Sequence, residues 1–200
     1  MGRKSKATVR RQEILSHFYQ VIIDEGFEGA SIAKIAKRME VNPSLLIHYF
    51  STKDAMVVGL IDYIMTTYSP TILPDFSETT DPAERWQDVL DVVSQMKWDR
   101  IMNHKVFYSC YALGLRLPEV RQRFEDLYQS LIEKLQTEIT HANDAGLIKV
   151  ENSRKAAEFI MTLAEGRSFL QHVTPESENS ESEVANFRNI AHQMLSAGHL

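Results

Sequence analysis

Lys53 follows Ser51-Thr52, a pair suited to capping a helix, so its ammonium would stand beside the free backbone N–H groups of a first turn. That combination is built to meet a phosphate. His48 and Tyr49 lie just before it, and Ser44 follows Asn42-Pro43 at the start of the same short stretch. Other chemistries find little footing. The seven histidines, at 17, 48, 104, 141, 172, 192 and 199, include no pair spaced i, i+4, and no cysteine cluster joins them, so no metal or cofactor is expected. Cys110 is the single cysteine, which rules out an intrachain disulfide and fits a reducing cytoplasm; its sequence neighbours Phe107, Ser109 and Tyr111 are neutral and would not activate it, so it reads as a buried thiol. No nucleophile elbow, phosphate-binding glycine loop or zinc-protease motif occurs, and no enzyme is expected.

The charge is divided unevenly. Residues 1–53 hold nine Lys or Arg against five acids, a net of +4, within a chain whose formal charge is −5, which leaves −9 for residues 54–200. A basic head on an acidic body suits a polyanion held at one end. The tail residues Arg3, Lys4, Lys6, Arg10 and Arg11 can follow phosphates or a minor groove, or remain solvated.

The elements that would position these groups are helical. From Thr8 to Glu25 the apolar residues Ile14, Leu15, Phe18, Val21 and Ile22 form one stripe, closed by Gly26, after which Phe27 is expected to plug a small core. Ile32, Ile35, Ala36 and Met39 recur at i, i+3, i+4 and i+7, with Ser31 as N-cap. Glu40 to Pro43 break the chain, and a second short helix from Pro43 to Phe50 buries Leu46 and Phe50. A short helix, a turn and a second short helix form a helix-turn-helix, whose second helix enters the DNA major groove.

At these residues the sequence resembles the TetR family of bacterial transcriptional regulators. Ile35-Ala36, Val41, Leu46, His48-Tyr49-Phe50 and Lys53-Asp54 follow that family's order and spacing, and the match extends over roughly residues 8–60. The resemblance implies DNA contacts from Ser31, Pro43, Ser44, Leu45, Ile47, His48, Tyr49 and Lys53, with Lys53 on a phosphate and Pro43 to Leu45 near the bases. Four positions depart from the pattern: Glu40 where glycine is usual, Ser44-Leu45 where Gly-Thr is frequent, and Ile47 where tyrosine is usual. Leu45 and Ile47 offer only apolar contact, best matched by thymine methyl groups, or else pack inside the head.

Beyond Lys53 the stripe Met56, Val57, Leu60, Ile61, Ile64 and Met65 predicts a helix to about Tyr68. The segment Ser69 to Pro82, with three prolines and three acids, predicts a loop. Further helices are expected over Ala83–Asp99, Asn103–Leu115, Pro118–Ala145, Ser153–His172 and Glu181–Ala197. The fold expected is all-α, about nine helices: a three-helix DNA-binding domain over 1–53 and a helical ligand-binding and dimerisation domain over 54–200.

In the body, Trp98, Met102, His104, Phe107, Tyr108, Tyr111, Tyr128 and Phe169 are the candidates for contact with a small-molecule effector. Each taken singly suits a core, and together they suit a mostly apolar pocket with polar anchors. The resemblance places an inducer pocket in this region. It also implies a homodimer through the last two helices, whose stripes are Ala156, Phe159, Ile160, Leu163, Gly166 and Val184, Phe187, Ile190, Ala191, Met194, Leu195. A two-fold protein would read a palindromic double-stranded operator. No signal-like segment or long apolar run is present, so a cytoplasmic protein without membrane partners is expected.

Overall fold

The computed structural model describes residues 6–95, 103–174 and 181–198, and every regular element among them is helical. In chain order these are α1 (Lys6–Gly29), α2 (Ile32–Arg38), α3 (Pro43–Tyr49), α4 (Lys53–Ile72), α5 (Pro82–Ser94), α6 (His104–Gly114), α7 (Pro118–Asp144), α8 (Ser153–Val173) and α9 (Glu181–Ser196). The all-α expectation holds, with two shifts of boundary. Helix α4 runs four residues past Tyr68 and through Pro70. Helix α5 ends at Ser94 with Gln95 as its cap, and residues 96–99 of the helix expected to reach Asp99 lie outside the described residues. Gly26 breaks α1 with φ 76° and ψ 166°, a conformation open to glycine and strained for other residues, and one more helical turn follows to Gly29.

The chain divides into two compact units, one of residues 1–69 with 98–126, the other of 70–97 with 127–200. In the first, α1 contributes Ile14, Leu15, Phe18, Val21 and Ile22, and α4 contributes Met56, Val57, Leu60, Ile61 and Ile64, none more than 3% exposed. Each such side chain contributes roughly 1.5–3 kcal/mol on burial, which is how a small three-helix head gains a core. Helix α6 packs on α1 in the same unit, and the Tyr19 hydroxyl accepts the Asn103 backbone N–H at 2.8 Å. The Asp62 carboxylate of α4 pairs with Arg123 of α7 at 2.5 Å.

In the second unit α5 lies against α9. Trp86 donates its indole N–H to His192 Nδ1 at 3.2 Å, and Arg188 donates to Asp91 at 2.6 Å. Arg85 of α5 grips Glu138 of α7 with two parallel hydrogen bonds, Nε to Oε2 at 2.6 Å and Nη2 to Oε1 at 2.7 Å. Of the expected stripe on α8, Ala156 and Ile160 are buried within the chain, while Phe169, Leu170 and Val173 remain exposed further along the helix. On α9, Ala191 and Leu195 are buried and Ile190 and Met194 face outward.

Candidate nucleic-acid interface

The turn before α3 is fixed by backbone bonds. The N–H of Val41 reaches Ala36 O at 3.0 Å and that of Glu40 reaches Lys37 O at 3.1 Å, the paired closure of a Schellman motif. The motif requires a left-handed residue at its centre, and Glu40 occupies it with φ 56°. A glycine would take this conformation without cost, so the departure seen at position 40 in the sequence stores strain in the turn.

Helix α3 begins with Asn42 as cap, whose side chain accepts the Ser44 N–H at 2.9 Å, and Pro43 in the first turn. It ends at Phe50, whose N–H reaches Leu46 O at 2.8 Å. Leu46 and Phe50 are buried at 0% and 1% exposure and anchor one side of the helix. The opposite side presents Pro43, Ser44, Ile47 and His48, at i, i+1, i+4 and i+5, all exposed. Ile47 is 54% exposed and so does not pack inside the head, whereas Leu45 is half-buried beside it. Tyr49 is also half-buried and meets the His48 ring edge-on, with centroids 5.3 Å apart and planes at 82°.

Ser31 caps α2 by accepting the Lys34 N–H at 3.3 Å, which leaves its own hydroxyl hydrogen able to donate. Lys53 opens α4, and its ammonium donates to Phe27 O at 2.8 Å and stands 4.3 Å from the centre of the Phe27 ring. One donor of three is thereby committed to closing the end of α1, and two remain for other acceptors. Phe27 is half-buried under this lysine and does not plug the core as the sequence had suggested.

Other contributions come from residues to which the sequence assigns no such role, Arg11 being read there as part of a tail that follows phosphates or stays solvated. Arg11 of α1 donates to the carbonyl of Tyr49 at 3.1 Å and lies 4.1 Å over the Phe50 ring, holding the end of α3 from the neighbouring helix. Its spacing four residues before Leu15 puts it on the inner side of α1, the one signal available. Gly59 sits beneath the same place: a Cβ there would approach Phe50 Cε1 to 3.0 Å and Arg11 Nη2 to 3.4 Å. The basic excess of the head is also partly spent internally. Lys34 pairs with Glu25, Arg38 with Asp24 and Arg10 with Glu13, while Lys37 makes no ion pair among the described residues.

The candidates for ligand contact fall in different places. Trp98 and Met102 lie outside the described residues. His104 opens α6 behind its cap Asn103, and Phe107, Tyr108 and Tyr111 follow on the same helix. Phe107 packs edge-on against Tyr108 and Phe124, at 5.3 and 5.7 Å between centroids, and stacks on Tyr111 at 6.5 Å. Tyr128 and Phe169 belong to the second unit. Cys110 is fully buried, and burial pushes its thiol up to about 12, which keeps it protonated and inert. Among the described residues no group of three or more His, Cys, Asp or Glu could hold a metal ion, and no helix is long and apolar enough to cross a membrane.

These features recur in known proteins. Residues 14–60 match the family described as bacterial regulatory proteins, tetR family, and residues 83–197 match the tetracyclin repressor-like C-terminal domain. The nucleoid occlusion factor SlmA of Vibrio campbellii is 30% identical over 134 residues, 66% of this chain and 67% of that protein. Two solved structures share the fold. A TetR transcription regulator from Haloarcula marismortui superposes with TM-score 0.78 at 19% identity, covering 96% of this chain and 98% of that one. A transcriptional regulator from Saccharomonospora viridis, solved in complex with choline, gives 0.75 at 15% identity, covering 94% and 95%. The helix-turn-helix of α2 and α3, with both family matches behind it, makes this chain a DNA-binding transcriptional regulator, not an enzyme, that belongs to the TetR family.

Proposed function

We propose that the chain acts as a homodimeric repressor in which residues 1–53 read a palindromic operator and residues 54–200 dimerise and sense a small molecule. The observation that carries this reading is the outward side of α3, where Ser44, Ile47 and His48 stand exposed together on a helix anchored by Leu46 and Phe50. Ser44 supplies a hydrogen bond to a base edge, and Ile47, with Leu45 at its flank, supplies apolar contact to a thymine methyl group. Ser31, His48, Tyr49 and Lys53 would hold phosphates, and Pro43 would set the approach of the helix. Two copies of α3 about 34–36 Å apart would then meet successive major grooves.

The exposed apolar residues Phe169, Leu170 and Val173 on α8, with Ile190 and Met194 on α9, support dimerisation through these helices, because a patch of this kind is costly to leave in water. The choline bound to the related fold from Saccharomonospora viridis supports a small-molecule effector, for which we propose contacts at His104, Phe107, Tyr108 and Tyr111 of α6. Such a ligand releases DNA only by binding a DNA-incompetent state more tightly. One observation favours a second reading, a regulator governed by a partner protein or by abundance: the rings of Phe107, Tyr108, Tyr111 and Phe124 already fill one another's space.

Selection from a random duplex library at fixed salt tests the central claim. A two-fold symmetric motif is expected, with Ser44→Ala and Ile47→Ala relaxing its sequence preference. An asymmetric single half-site, or a monomer in sedimentation at binding concentrations, would refute the dimeric reading.

A further inference from the structure

The second unit contains a cavity of about 360 Å³, lined by Leu73 to Phe76, by Val89 of α5 and by Lys134, Leu135, Thr137 and Glu138 of α7. Its floor is apolar and buried: Leu73, Val89 and Leu135 are each 1% exposed and Phe76 7%. Its mouth is polar and open, with Asp75, Lys134 and Thr137 exposed. At about the lower end of the size range for small-molecule sites, ~300–1,000 Å³, it suits a small ligand.

The charges at this cavity are not equivalent. Both carboxylate oxygens of Glu138 accept hydrogen bonds from Arg85, so each of these two charges already has an ionic partner. Asp75 accepts the Ser77 N–H at 2.9 Å through Oδ1, and the Ser77 side chain adds a second hydrogen bond. Hydrogen bonds from Ser77, with lesser help from the charges of Arg85 and Lys134, hold its carboxyl below the usual carboxylate range, so it is an anion at neutral pH. Lys134 donates to Leu73 O at 3.2 Å and has two further N–H donors. The mouth therefore offers one anion and one cation, each hydrogen-bonded to a neutral group, from the 73–76 segment and from α7, over a buried apolar floor.

We infer that this cavity binds a free α-amino acid with an apolar side chain, its carboxylate on Lys134, its ammonium on Asp75 and its side chain on Leu73, Phe76, Val89 and Leu135. A ligand carrying only one charge leaves the opposite partner at the mouth unmatched, and a purely apolar ligand matches neither. The site shares no residue with the α6 aromatic cluster and does not rest on an effector binding there. Because the Lys134 ammonium also holds the carbonyl of Leu73, just past the end of α4, a bound carboxylate competes for the group that fastens that end.

Calorimetric titration of the full-length chain with L-phenylalanine, 3-phenylpropanoate and 2-phenylethylamine tests the assignment. L-Phenylalanine should bind saturably, and each analogue lacking one charged group should bind about tenfold more weakly, as loss of a charge-assisted hydrogen bond implies. Lys134→Met should weaken L-phenylalanine and 3-phenylpropanoate and leave 2-phenylethylamine unchanged; Asp75→Asn should do the reverse for the two analogues. Thr137→Trp, at an exposed position on the rim, should block all three, and a thermal melt of each variant checks folding. Equal affinity for the three probes, absence of saturable binding, or indifference to both charge substitutions would overturn the proposal.

Discussion

Replacing Glu40 by glycine should stabilise the protein, and the size of the effect follows from the turn geometry. At φ 56° an L-residue carries about 1–2 kcal/mol of left-handed strain, which glycine lacks. Glycine's extra freedom in the unfolded chain offsets about 0.4–1 kcal/mol of this gain. The net expectation is about 1 kcal/mol, or about 2–4 °C in melting temperature for a chain of this length. A second effect acts through charge, since a carboxylate beside the C-terminus of α2 opposes the helix dipole by roughly 0.3 kcal/mol. Glu40→Ala separates the two: it removes the charge and keeps the strain. In thermal and urea unfolding, Glu40→Gly should exceed wild type by about 1 kcal/mol while Glu40→Ala stays within about 0.5 kcal/mol of it. Both variants should strengthen DNA binding equally, through the lost negative charge before α3. If alanine stabilises as much as glycine, strain at position 40 is not the cause and the reasoning fails.

Two substitutions examine how the ends of α1 and α3 are held. Lys53→Met strips the Phe27 carbonyl of its donor and should cost about 1 kcal/mol in unfolding experiments. If the same ammonium also meets a phosphate, the slope of log affinity against log salt should shrink by about 0.9, whereas a stability loss with an unchanged slope assigns Lys53 to Phe27 alone. Gly59→Ala places a methyl group 3.0 Å from Phe50 Cε1, where overpacking of about 1–3 kcal/mol outweighs the ~1 kcal/mol gained in helix propensity. Reduced stability together with weaker operator binding is expected; a variant more stable than wild type would mean that Phe50 and Arg11 move aside freely.

The sequence alone determined the parts of this protein that depend on local periodicity and capping. The stripes of α1 and α4, the caps Ser31 and Asn42, the break at Gly26 and the buried pair Leu46 and Phe50 are properties of residues three or four apart, and short-range spacing reports them directly. The resemblance around residues 35–54 was legible for the same reason, since it lies within one supersecondary unit. What required the tertiary structure were relations between residues far apart in the chain. Arg11 reaches Tyr49 across 38 positions, Lys53 reaches Phe27 across 26, and Arg85 reaches Glu138 across 53. Only the folded chain revealed that Asp24 and Glu25 neutralise two bases of the head, that Glu40 bears left-handed strain, and that α6 packs on α1. The charge count along the sequence was correct, but how much of that charge remains free for DNA depends on which side chains packing brings within bonding distance. A one-dimensional pattern carries no such distances.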